Sequence, residues 1–302
     1  MVRVVDMVVS TWRRRHDVDV AVVDVYSGRA FRWAEAVCAV LRRAGVPFAL
    51  VLRGGGLPSF AQRQPDRVRR LFSAAAAIVT LSDYLAERMK GHGEAFHMLP
   101  NPIDVDAYPF RARREVAPRL VWLRSFHATY HPEMAPRVLA RVRSVYPEAS
   151  LVMVGPDRGD GTLQRTRWLA ERLGVADAVE FVGPIPKERV GEQLARGDVF
   201  LNTPRIDNVP ISVLEAMACG MCVVSTDVGG IPFLVQDGRD ALLVPAGDHE
   251  RMADAVLRVC GDLDLAAHLS QGARQVAEAH DWGAVLPRWE ELLADLARGR
   301  RR

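Results

Sequence analysis

Lysine is nearly absent from this chain. Of the 40 Lys and Arg residues in 302, two are lysines, Lys90 and Lys187, so arginine carries almost all of the positive charge. Cysteine is also scarce: Cys38, Cys219, Cys222 and Cys260 are too few and too scattered for a disulfide-stapled scaffold. Cys219 and Cys222 do spell C-x-x-C, but the motif spans a helix end and an apolar strand start, which suits buried packing better than redox or metal chemistry. No apolar run reaches the roughly 18 residues that a bilayer-spanning helix needs. The opening MVRVVDMVVSTWRRRH lacks the basic-then-apolar order of a secretory signal, so a cytoplasmic protein is expected. A net charge of +3 is too mild to imply nucleic acid. Internal repeats and low-complexity segments are lacking too.

What is present is an ordinary globular composition, 49% apolar, with a regular rhythm. Strand-like runs recur between helical stretches at 20–23, 48–52, 78–81 and 96–99. A segment with several prolines, from Pro100 to Pro109, then interrupts the pattern, and 111–118 is polar without a clear period. A first domain over 1–112 and a second over 113–283 follow, with a helix and basic tail at 284–302. Strand runs resume at 120–123, 151–154, 179–182, 199–201, 222–225 and 241–244. Such alternation predicts an α/β fold with parallel sheets and right-handed crossovers, whose ligands bind outside the carboxyl ends of the strands.

The most informative stretch is 198–232, DVFLNTPRIDNVPISVLEAMACGMCVVSTDVGGIP. It reads as strand, loop, helix from Ile211 to Ala218, strand, and a second loop that opens another helix at Ile231. A helix start offers unpaired N–H groups and partial positive charge, which suit a phosphate. Ile211 and Ser212 would supply those amides, with Asn208 in the loop ahead of them. Glu215 shares a face with Ile211, and its carboxylate can accept both hydrogens of a vicinal diol. Asp207 would meet a more distal group on the same ligand. A first-turn acid favoured by the helix dipole and a simple turn residue are the bland alternatives, equally consistent with the pattern alone.

The segment resembles the signature of the retaining GT-B glycosyltransferases of family 4. The shared pattern runs through Asp207 and Glu215, Ala216-Met217-Ala218-Cys219-Gly220, Thr226 with Gly229-Gly230, Asp237-Gly238 and Leu242-Leu243-Val244-Pro245. The resemblance implies a GT-B fold, two Rossmann-like domains facing a cleft. It also implies Glu215 on the donor ribose, Asp207 on the hexose and no covalent nucleophile. The first acid is Asp where the family usually has Glu, Phe233 stands where it often has a further Glu, and Cys222 where it often has Pro. Measured against the family, the first domain is expected to be shortened, lacking its opening strand and glycine-rich loop.

Other candidates extend the site. Arg124 follows the run 120–123, where the family carries a Gly-Arg pair, and would neutralise a donor diphosphate. The family's Lys five residues beyond is Thr129 here, leaving His127, His131 or an Arg from elsewhere to replace its charge. Gly155 opens a glycine-rich loop after another strand, and Gly183 with Ile185 resembles the loop that frames the nucleobase in the family. Ser27 and the run Gly54, Gly55 and Gly56 end two strands of the first domain and would approach an acceptor. Asp104-Val105-Asp106 has D-x-D spacing, but so do two other places in the chain, and no metal site is read there.

The expected activity is transfer of a hexosyl-type group, with retention, from a UDP- or GDP-linked sugar to a glycan, a lipid-linked glycan or a small molecule. No further cofactor is expected. A non-catalytic sugar-nucleotide-binding subunit and a GT-B sugar-nucleotide epimerase are the alternatives. Arg63, Arg67, Arg69 and Arg70, read as one helix, and Arg298, Arg300, Arg301 and Arg302 form basic patches. These fit either anionic lipid at the inner face of the membrane or a solvated surface.

Overall fold

The computed structural model describes residues 2–93 and 95–300. The chain divides into two compact units, Met1–Asn101 with Gly283–Arg302, and Pro102–Trp282.

The first unit holds a four-stranded parallel sheet: β1 (Ala21–Val25), β2 (Phe48–Leu52), β3 (Ala77–Thr80) and β4 (His97–Met98), paired in that order. β2, FALVL, is buried at every position, as a strand covered on both faces should be. Phe31 and Cys38 of the helix Phe31–Arg43 pack with Leu50, Leu52 and Val68 in the core. A helix at Val2–Arg14, which the sequence reading did not name, packs beside them. Arg63, Arg67, Arg69 and Arg70 do not share one helix. They lie on two, Leu57–Arg63 and Pro65–Phe72, because Gln64 precedes a proline and cannot hold the helical conformation. Arg67 Nε donates to Glu35 Oε1 at 3.0 Å and Arg69 pairs with Asp66, so half of that basic patch is locally neutralised. In the tail Arg298 pairs with Asp295, while Arg301 and Arg302 lie outside the described residues. Among the described residues, no helix is long and apolar enough to cross a membrane.

The second unit holds six parallel strands: β5 (Arg119–Leu123), β6 (Ser150–Val154), β7 (Val179–Gly183), β8 (Val199–Asn202), β9 (Cys222–Thr226) and β10 (Leu242–Val244). Their spatial order is β10-β9-β8-β5-β6-β7. From β5 the chain winds outward through β6 and β7, returns to the other side of β5 as β8, and winds outward again. Trp122 and Phe126, with ring centroids 5.0 Å apart, anchor the core, and Trp122 Nε1 donates to Thr203 Oγ1 at 2.9 Å.

The segment 102–112, read from sequence as part of the first domain, groups with this second unit. Ile103 bridges Asp281, and Asp281 Oδ1 accepts from the Val105 N–H at 3.1 Å. Further on, Arg111, Arg113 and Arg119 converge on Asp198, which is 0% exposed at the head of β8. Arg113 is itself 1% exposed and donates to the Gly197 carbonyl at 3.0 Å. Burial pushes the Asp198 carboxyl up, but hydrogen bonds from Arg119 and Arg111 outweigh it and hold the group below its ordinary range. The polarity that reads as a linker is therefore the countercharge of a buried acid.

Candidate functional site

The order of the second sheet reverses between β5 and β8, so the loops leaving these neighbours diverge and open a crevice at their carboxyl ends. Arg124 leaves β5 and Asp207 lies in the loop leaving β8. Their side chains form an ion pair, 21% and 13% exposed. The Arg124 guanidinium also stacks 4.5 Å from the Tyr130 ring centroid. Two bonds stitch the loops together: Thr203 Oγ1 donates to the Tyr130 carbonyl at 2.7 Å, and the Arg205 N–H to the Thr129 carbonyl at 2.8 Å. His131 ends this loop with φ 44, a left-handed backbone rare outside glycine.

The helix Ile211–Ala218 begins at the crevice. Pro210 is its N-cap and supplies no side-chain cap, so the first amides keep their donors for a ligand. Ser212 is 4% exposed, and among the described residues its buried Oγ has no partner. A helix with one apolar stripe would show polar residues outward, but here Ser212 through Ala218 are all buried. Glu215 is thus a carboxylate, 3% exposed, among Val213, Leu214, Ala216 and Met217. Two groups meet its Oε1. Tyr108 Oη donates at 3.0 Å, and the Lys187 ammonium forms an ion pair. Burial above all, with the nearby Asp104 charge contributing, pushes the Tyr108 phenol up to about 12, so it remains a donor at neutral pH. Lys187 Nζ also stands 5.7 Å from the Tyr108 ring centroid.

Two glycines let the loops approach this closely. Gly155, after β6, has φ +143, and a Cβ there would lie 1.9 Å from the Arg124 carbonyl oxygen. Its N–H donates to the Gly183 carbonyl at 2.9 Å, tying the ends of β5, β6 and β7 together. Gly229 has φ +58, and its Cβ would lie 2.0 Å from the Asp207 carbonyl oxygen. The T-x-x-G-G motif is therefore a packing surface for the loop that carries Asp207.

A cavity of about 400 Å³ results, lined by Arg124, Gly155, Pro184, Ile185, Lys187, Val190, Ile211, Ser212 and Glu215 among others. Of the residues singled out from sequence, Arg124, Gly155, Ile185, Ile211, Ser212 and Glu215 meet there. Asp207 reaches it through Arg124, Gly183 lies behind Gly155, and Asn208 is buried under Gly230, whose Cβ would touch the Asn208 carbonyl. A second cavity of about 360 Å³ adjoins it across Lys187 and Ile211, lined also by Asp104, Tyr108, Glu188 and Trp282. Lys187 and Tyr108 escaped the sequence reading. The scarcity of lysine was the one signal that could have raised Lys187.

In the first unit, Ser27 and the glycine run meet at the ends of β1 and β2. A Cβ on Gly54 would stand 3.6 Å from the Ser27 nitrogen, one on Gly56 3.2 Å from Ser27 Oγ, and Gly55 lies in the same turn. Arg53 beside them donates to Asp24 Oδ1 at 2.8 Å. Cys219 and Cys222 are buried, and desolvation pushes their thiols up to about 11 and about 12. Among the described residues, no three His, Cys, Asp or Glu side chains cluster as a metal site.

The family profile described as "Glycosyl transferases group 1" matches residues 117–262. The chain is 36% identical over 157 residues to a D-inositol 3-phosphate glycosyltransferase of Acidothermus cellulolyticus, covering 50% of this chain and 35% of that protein. It is 32% identical over 257 residues to a GDP-mannose-dependent alpha-(1-6)-phosphatidylinositol monomannoside mannosyltransferase of Mycolicibacterium smegmatis, covering 78% of this chain and 65% of that one. The match thus spans about a third of the inositol-phosphate enzyme and under two thirds of the mannosyltransferase. In structure, Anabaena HepE in complex with UDP superposes with a TM-score of 0.80 at 17% identity, covering 95% of this chain and 82% of that one. Sucrose-phosphate synthase from Thermosynechococcus elongatus gives 0.79 at 18% identity, covering 96% and 76%. Residues 117–262 thus match the glycosyl transferases group 1 profile, and the chain, with one parallel sheet in each unit, has the GT-B fold.

Proposed function

We propose that this protein transfers a glycosyl group from a nucleoside-diphosphate sugar to an acceptor hydroxyl, with retention of anomeric configuration. The observation that carries the reading is the buried Glu215 carboxylate, one turn inside an uncapped helix start, in the cavity where Arg124 also lies. In this reading the amides of Ile211 and Ser212, the Ser212 hydroxyl and Arg124 hold the diphosphate. Glu215 takes the ribose diol, and the base lies against Pro184, Ile185 and Val190. Asp207 faces the hexose from beside Arg124. As the glycosidic bond breaks, charge gathers on the leaving diphosphate, where the guanidinium and helix start stabilise it, and the acceptor attacks from the same face. The protein supplies this charge without a further cofactor.

UDP and GDP are the nucleotides to try first, since HepE was solved with UDP and the mycobacterial relative is named for GDP-mannose. A glycan or lipid-linked hydroxyl is the proposed acceptor, with contact to anionic lipid through the basic surfaces. Nucleotide release is measured with a panel of UDP- and GDP-sugars and candidate acceptors, and product configuration is read by NMR. Glu215→Ala should lower turnover at least about tenfold; an unchanged rate refutes the assignment. The Arg124–Asp207 pair and Thr129 favour one other reading, a subunit that binds nucleotide sugar without chemistry. Binding with no release for any acceptor supports that alternative.

A further inference from the structure

We infer that Lys187 is the second half of a ribose-reading pair, acting with Glu215 to recognise the sugar of the nucleotide; the inference rests on the donor reading above. Lys187 opens a turn of 3₁₀ helix, Lys187–Arg189, that follows β7. Its ammonium and the Tyr108 hydroxyl both engage Glu215 Oε1, and among the described residues Oε2 takes no hydrogen bond. The phenol and ammonium therefore fix the plane of the carboxylate and leave one oxygen uncommitted toward a ligand.

The chemistry of a vicinal diol explains why a lone acid would be a poor reader. An ionised carboxylate only accepts, so it can take the two diol hydrogens but gives nothing to the oxygens that bear them. Those oxygens would be desolvated with their lone pairs unmet, at a cost in affinity. An ammonium has three donors. Lys187 spends one on Glu215 and keeps two, and its side chain, 60% exposed against 4% for Glu215, lines the same cavity as Ser212 and Arg124. Arg124, paired with Asp207, is assigned above to the diphosphate rather than to the diol. Lys187 also offsets the desolvation of a carboxylate whose side chain is only 4% exposed. Donor and acceptor side by side match a ribose and mismatch its 2′-deoxy counterpart.

The test is calorimetric titration of the full chain with UDP, GDP, 2′-deoxy-UDP and 2′-deoxy-GDP. For whichever ribonucleotide binds, the wild type should prefer it over its deoxy form by about tenfold or more. Lys187→Met should weaken ribonucleotide binding about tenfold and bring that ratio close to one, and Lys187→Arg, which keeps charge and donors, should restore most of it. Thermal melts of the unliganded variants establish that they fold, and Lys187→Gln is the substitute if Lys187→Met does not. An unchanged ratio in Lys187→Met overturns the inference. Tighter ribonucleotide binding overturns it too, by making Lys187 a competitor for Glu215. If the wild type binds neither UDP nor GDP, it is the donor reading that fails.

Discussion

Replacing Gly229 by alanine would put a methyl carbon 2.0 Å from the Asp207 carbonyl oxygen, a separation that real Cβ atoms do not tolerate. Two effects add. The backbone at φ +58 is left-handed, which costs an L-residue about 1–2 kcal/mol. The overlap is with backbone, which cannot swing aside as a side-chain tip would, so the 226–230 loop must move away from the loop that carries Asp207. That movement breaks the bond from the Gly230 N–H to the Asp207 carbonyl, 3.1 Å in the intact protein. A lost hydrogen bond is worth about 1 kcal/mol, so the total is about 2–3 kcal/mol. Gly159 supplies the control: φ is +75, but among the described residues nothing beyond its chain neighbours comes within 4 Å of a Cβ there. Gly159→Ala should then cost only the conformational part, about 1–2 kcal/mol. Urea unfolding of both variants at one pH measures the difference, with equal m-values securing the comparison. Equal losses would show that the two loops are not locked together at this point. Under the donor reading the variants also part in activity, because only Gly229→Ala displaces Asp207.

Further outcomes follow from particular buried groups. Ser212→Ala removes a buried hydroxyl with no partner among the described residues, so it should leave the unliganded protein as stable or up to about 1 kcal/mol more stable, while weakening UDP or GDP binding; a loss of thermal stability would mean that the hydroxyl serves the fold. Asp198→Asn leaves Arg113 buried without its countercharge and should destabilise by about 3–5 kcal/mol, read from chemical denaturation. The Asp198 carboxyl is held below its ordinary 3.8, so its contribution is full above that value and is lost as pH falls from there through the lower folded-state value. The acid limb of the stability profile should accordingly flatten in Asp198→Asn.

All ten strands could be read from the sequence because each falls in a short, largely apolar run bounded by turn residues, and the inner strands β2, β3, β8 and β9 are buried at every position. The helix Ile211–Ala218 was legible in outline, since Pro210 and Gly220 bracket it, although Pro210 stands at the N-cap rather than at the first helical position. What periodicity could not show is which side chains meet. Tyr108 and Glu215 are 107 positions apart, and Arg124 and Asp207 are 83 apart, so each pairing is decided by strand order rather than local pattern. The segment 102–112 misled for a related reason. Arg111 at its end, with Arg113 and Arg119 just beyond, looks like part of a polar linker until Asp198, at the head of a distant strand, is brought beside them.

Both acids of the signature pair are met by a cation in the unliganded site, Asp207 by Arg124 and Glu215 by Lys187. The site is thus close to neutral before a ligand arrives, and a nucleoside diphosphate must compete with Asp207 for Arg124. Both partners are largely withdrawn from water, so the competition is only weakly screened. Asp207→Asn keeps the side chain's size and removes its charge, which frees the guanidinium for the phosphates. Diphosphate binding should tighten, by about threefold to tenfold for one charge-assisted contact released. Transfer should fall at the same time, because Asp207 no longer offers a carboxylate to the hexose. The two effects are separable: calorimetry with UDP or GDP reads the first, and nucleotide release from the matching sugar donor reads the second. Weaker UDP and GDP binding in Asp207→Asn would refute the competition, and would mean that Asp207 holds Arg124 in place for the diphosphate instead of opposing it.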